Sequence, residues 1–168
     1  MSEQIQAYMY EAVKNFFDGR FDGQKWRYAL HDEVVFVGAI EDIDSKINSL
    51  RFSVIVGEDT VCCYHIVPVK VPVEKRAAVC EFITRANYGL TLGNFELDMN
   101  DGEIRYKVTL LSHDLLRSQE AALGSMKLLM LLAPAVWKRY GNQLADMIFD
   151  ICPDKSVEEL IAQCENAE

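Results

Sequence analysis

Residues 94–110, NFELDMNDGEIRYKVTL, decide the reading of the fold. Asp101-Gly102 is a favoured two-residue hairpin turn, because glycine accepts the positive φ that such a turn demands. Centred there, the hairpin sets Met99 opposite Ile104, Leu97 opposite Tyr106 and Phe95 opposite Val108. The other face pairs Asp98 with Arg105 and Glu96 with Lys107. Apolar pairs and oppositely charged pairs agree on one register, and a slip of one residue would break both sets. The spacing predicts a hairpin with a core face and a solvent face.

Upstream, residues 73–87 carry Val79, Phe82, Ile83 and Ala86 at helical spacing, and Asn87-Tyr88-Gly89 stops them. Four β-like runs come before: Trp26–Leu30, Glu33–Ile40, Leu50–Val56 and Val61–Val67. His31-Asp32 and Gly57–Thr60 read as their turns, and Pro68 and Pro72 close the last run. Residues 3–18 form a first helix, capped by Ser2 and ended by Gly19, with Ile5, Tyr8, Met9, Ala12, Val13 and Phe16 in one stripe. Downstream, Ser118 starts a long helical stretch to about Asp150, in which Pro134 should introduce a kink or a division. Ser156 and Glu159 make a capping box for a short last helix. Strands grouped in antiparallel hairpins, with helices segregated from them, define an α+β fold. At 168 residues the chain is expected to be a single domain over 1–168.

Seventeen basic residues stand against 26 acidic ones, a formal net charge of −9. The bases are scattered, so neither nucleic acid nor an anionic membrane surface is an expected partner. The N-terminus lacks the basic and apolar regions of a signal peptide. The longest apolar run, Leu128–Val136, is too short to span a bilayer. Five cysteines without a C-x-x-C spacing read as free thiols in a reducing cytoplasm.

No catalytic, cofactor or metal signature is found. Cys63 and His65 share one strand face and could form a nucleophile–base pair, but two such residues on a strand normally just pack. Glu41, Asp42 and Asp44 lack the glycine and distal glutamate of a calcium loop. Gly89 and Gly93 precede no phosphate-binding Lys-Ser/Thr. The segment Leu128–Val136 departs most from pattern: it is apolar on every side, so either the fold buries it or another chain covers it. Met126, Met130, Leu131 and Trp137 are the candidate interface residues, and Trp26 is an equally good anchor or core residue.

The stretch Phe82–Leu110 resembles the YbjN-type family of bacterial sensory transduction regulators through Asn87, Leu90, Gly93, Phe95, Leu97, Gly102, Arg105 and Tyr106. The resemblance implies a fold like that of type III secretion chaperones, an antiparallel sheet with helices packed on one face. It also implies an acidic cytoplasmic homodimer that binds extended segments of client proteins, and it offers no catalytic residue. The expected function is a non-catalytic protein-binding module, chaperone-like or regulatory. The alternative is a small-molecule binder or enzyme with a pocket near Cys63, Tyr64 and His65, and a structural subunit is a third reading.

Overall fold

A computed structural model describes residues 2–166, although the side chain of Ser2, expected to cap the first helix, lies outside that description. Helix α1 (Ser2–Phe17) is followed by β1 (Ala29–Asp32), β2 (Val35–Ile40), β3 (Leu50–Val56) and β4 (Thr60–Lys70). A 3-10 turn, Val73–Lys75, opens α2 (Arg76–Gly89), which leads to β5 (Asn94–Leu97) and β6 (Glu103–Leu111). Helices α3 (Ser112–Leu116), α4 (Gln119–Ile148) and α5 (Val157–Glu165) complete the chain. The six strands form one antiparallel sheet in the order β1-β2-β3-β4-β6-β5. The fold is α+β.

Alternation in the strands puts one face of the sheet under the helices. Phe36, Phe52, Val54, Cys63, His65, Tyr106 and Val108 are buried there. Two apolar clusters share this face. One joins α1 and the first half of α4 to β2, β3 and β4, around Met9, Phe17, Phe52 and Met126. The other joins α2, α5 and the second half of α4 to β5 and β6, around Phe82, Phe95, Trp137 and Tyr140. Helix α4 spans both, and its start and that of α5 are capped as expected: Ser118 Oγ accepts from Ala121 N at 3.0 Å, and Ser156 and Glu159 bond reciprocally.

The hairpin register corrects the sequence reading. Leu97 pairs with Ile104, Phe95 with Tyr106 and Glu96 with Arg105, a shift of two residues from the expected pairing. The turn is wider because aspartates reshape it. Asp98 Oδ1 accepts from Asn100 N at 2.7 Å, Asp101 Oδ1 accepts from Glu103 N at 2.8 Å, and Asp98 N donates to Glu103 O at 2.9 Å. Gly102 still supplies the positive φ, at 81°. An even shift leaves every side chain on its expected face, but Met99 leaves the core for solvent.

Two other boundaries moved. The first hairpin turns at Glu33-Val34 rather than at His31-Asp32, with a register irregularity between Leu30 and Asp32. Strand β4 runs on through Pro68, beyond the end of β3, where no ladder bond is required of a proline. Helix α3 was not foreseen.

The two sheet edges are finished differently. Asn87, at the end of α2, bonds the β5 edge like another strand: its Nδ2 donates to Phe95 O at 3.0 Å, and Phe95 N donates to its Oδ1 at 2.8 Å. At the other edge β1 is four residues long, irregular and fully exposed, the usual protection of an unpaired edge. Replacing Asn87 with Ala should destabilise the fold by about 1–2 kcal/mol, the cost of two lost backbone partners that are partly buried. Urea unfolding of the two proteins would measure it, and an unchanged midpoint would show that the edge needs no seal.

Candidate functional site: the uncovered face of the sheet

The candidate chemistry at Cys63 and His65 resolves into structure. Both side chains are fully buried on the helix side of β4, with Cys63 Sγ 3.5 Å from His65 Nδ1, whereas Tyr64 lies on the opposite face. The expected pocket joining all three is therefore not formed. Burial pushes the Cys63 thiol well above its ordinary pKa and His65 down to about 4, so the pair favours a neutral thiol beside a neutral imidazole. That is the opposite of an activated nucleophile.

His65 has another task. The backbone carbonyl of Met130 in α4 lies against its ring and partly offsets that fall. In a helix that carbonyl would accept from the N–H of residue 134, which is Pro134 and has none. The imidazole of the central strand thus stands beside the carbonyl that the proline leaves without a helical donor, and α4 continues through the proline as one helix.

This explains where α4 places the candidate interface residues. Met126, Met130 and Trp137 are core, not interface: each is 2% exposed or less. They lie on the stripe that faces the sheet, and Trp137 Nε1 donates to Ile47 O at 2.9 Å. Leu131 is 49% and Leu128 43% exposed, and with Ala135 they form a short apolar strip on the outer side of α4. The helix meets length and composition criteria for a membrane span, but a core helix meets the same criteria. Trp26 is half-buried against Phe16 and Phe17. The acidic loop is exposed at Glu41, Asp42 and Asp44, and Asp44 pairs with Lys138 at 2.9 Å. Among the described residues no group of three potential ligands could hold a metal ion.

The surface that sequence reasoning missed is the other face of the sheet. Its outward positions can be read off the ladders in three rows. One row is Val35, Ile55, Cys62 and Thr109. The next is Ala29, Val37, Ser53, Tyr64, Lys107 and Asn94. The third is Ala39, Arg51, Ile66, Arg105 and Glu96. A solvent-facing antiparallel sheet normally alternates apolar-in with polar-out. Here valine, isoleucine and alanine recur outward across β2, β3 and β4. Arg105 stacks over Tyr64, its guanidinium carbon 4.2 Å from the ring centre, and its Nε donates to Glu96 at 2.8 Å. The Tyr64 hydroxyl is held above its ordinary pKa by a hydrogen bond to Cys62 and by partial burial. At the β1 end the face dips into an open groove of about 640 Å³, lined by Arg27, Ala29, Val37, Gly38, Ala39 and Glu41 among others.

The fold is thus a one-sided α+β sheet, with helices beneath it and an apolar, cation-bearing face left uncovered. Residues 23–123, which include all six strands, match the YbjN family, described as "Putative bacterial sensory transduction regulator", and the chain belongs to that family. The match reaches well upstream of Phe82, where the sequence alone carried no family motif. No curated protein and no solved structure matches the chain.

The His65 bridge makes two predictions. His65→Leu should cost about 1–3 kcal/mol by orphaning the Met130 carbonyl. Pro134→Ala added to it should recover much of that loss, because residue 134 then has its own N–H. Thermal unfolding of the two single variants and the double variant measures the coupling, and additive effects would remove the bridge. The pH dependence follows from the sign of the shift. The folded state resists protonating His65 down to about pH 4, while the unfolded state binds that proton from about pH 6.5. Stability is then fully present above pH 6.5 and falls by about 1.5 kcal/mol between pH 6.5 and 5. His65→Leu should flatten that stretch of the curve.

Proposed function

We propose that this protein is a non-catalytic regulatory module that acts by binding another protein, as a homodimer in the cytoplasm. The observation that carries this reading is the uncovered sheet face. All five helices pack on one side, and the outward positions of β2, β3 and β4 keep an apolar content that solvent exposure alone does not call for. The description of the family as a sensory transduction regulator fits a module that works by association. Binding of extended client segments, in the manner of secretion chaperones, is part of the proposal.

Self-association is assigned to a different place. The strip Leu128, Leu131 and Ala135 on α4 is the exposed remainder of the apolar segment, and it can meet its own copy around a two-fold axis without using the sheet face. Leu131→Asp should give a folded monomer in analytical ultracentrifugation where the wild type sediments as a dimer. The side chain is half-exposed, so the charge costs little within the protomer. A variant that stays dimeric would take the dimer off α4. A wild type that sediments as a monomer would remove the homodimer altogether.

A further inference from the structure

We infer that the β1–β2–β3 corner of the uncovered face docks an extended, acidic segment of a partner protein, held by Arg27 and Arg51. The inference rests on the protein-binding reading above and names the chemistry of the partner.

Arg51 is paired across the ladder with Ala39, and Arg27 lines the groove beside that same alanine. Both arginines are exposed, and among the described residues neither lies within ion-pairing distance of a carboxylate. Lys14, Lys46, Lys75, Arg85 and Arg105 have acidic partners. Among the described residues other bases, such as Arg117 and Arg139, also lack one, but Arg27 and Arg51 stand together beside one apolar groove. Arg105 continues the line two strands beyond Arg51, although Glu96 and Glu103 already neutralise it. Glu41 is the one carboxylate on the groove rim.

The floor between the two free cations is low. Ala29, Val37 and Ala39 leave the groove open, and Gly38 contributes backbone alone. Its lateral scale is set by the sheet: positions two strands apart are about 10 Å apart. An extended chain repeats the same side every third residue, about 9–10 Å along its length. A segment with an acidic residue at every third position therefore meets Arg27 and Arg51 in step. Its intervening apolar side chains fall on the alanines and Val37. Nucleic acid presents negative charge too, but the face offers a single aromatic ring, Tyr64, already covered by Arg105, and the molecule as a whole repels a polyanion.

The test uses the full chain and fluorescein-labelled (Glu-Pro-Leu)5 in fluorescence anisotropy, beside (Lys-Pro-Leu)5 and a 12-nucleotide single-stranded DNA. The expected result is binding of the glutamate peptide that weakens with salt, at least tenfold weaker binding by the Arg27→Glu/Arg51→Glu double variant, and little binding of the other two probes. Neither arginine supports the fold through an ion pair, so the variant should melt like the wild type. Equal binding of the lysine peptide, an unchanged affinity in the double variant, or binding of the DNA instead of the peptide would each overturn the inference. So would self-association of the wild type that the double variant abolishes, since the occupant would then be a second copy. Affinity capture from native lysate separates the two levels. A partner held equally by wild type and double variant sinks this corner but keeps the protein-binding reading, whereas no peptide binding and no captured partner sinks both.

Discussion

Pro134 removes the backbone N–H that would have reached the Met130 carbonyl, and His65 on the central strand sets its imidazole against that carbonyl. Much of the structure turns on that contact. Helix α4 is the element both apolar clusters share, with Met126, Leu129 and Met130 in one and Ala133, Trp137 and Tyr140 in the other. The proline stands where one cluster hands over to the other. A buried carbonyl without a donor at that joint would cost about 1–3 kcal/mol. The imidazole beside it offers a polar neighbour there, where the middle of the helix meets the middle of the sheet. A lowered pKa follows, because a histidine sealed between two layers keeps its neutral form.

Seen this way, the sequence hid the role of its two most conspicuous residues in plain view. Pro134 was legible as a break and His65 as a titratable group, but nothing in periodicity says that residues 69 positions apart meet at one carbonyl. The α+β class, the capped helices and the faces of the β5–β6 hairpin were legible, because each follows from local spacing. The exact register was not: the turn motif Asp101-Gly102 competes with side-chain bonds from Asp98 and Asp101, and the latter widen it. The interface candidates failed for a related reason. An all-apolar helix cannot announce which stripe lies on the sheet, and Met126, Met130 and Trp137 proved to be on it while Leu131 did not.

The residues that carry the family resemblance explain why it informs fold more than action. Asn87 seals the β5 edge, and Gly93 takes a φ of 73° below the Tyr106 ring. The Tyr106 hydroxyl bonds Leu92 O at 2.5 Å, and the Gly102 carbonyl accepts from Val71 N at 2.8 Å. Phe95 is buried in the cluster with Trp137 and Tyr140, and Leu97 packs against it. All of these hold the joint between α2 and the hairpin. Arg105 alone among them reaches the uncovered face, where it lies over Tyr64.

A sheet that spends its whole core on one side must still explain its other side. If that face met only water, exchanging its outward valines and isoleucines for threonine or lysine would cost nothing in packing and would make an acidic chain no less soluble. The side chains present are instead those that lose least on being covered: short apolar groups in the middle, and arginines whose charge survives partial burial when a carboxylate arrives. Strong net negative charge sharpens the choice, because two guanidinium groups without a carboxylate partner on one face lower the local repulsion of a negatively charged chain. The helices hold β3, β4, β5 and β6 from beneath, so little ordering of those strands is asked of this protein when a partner is bound.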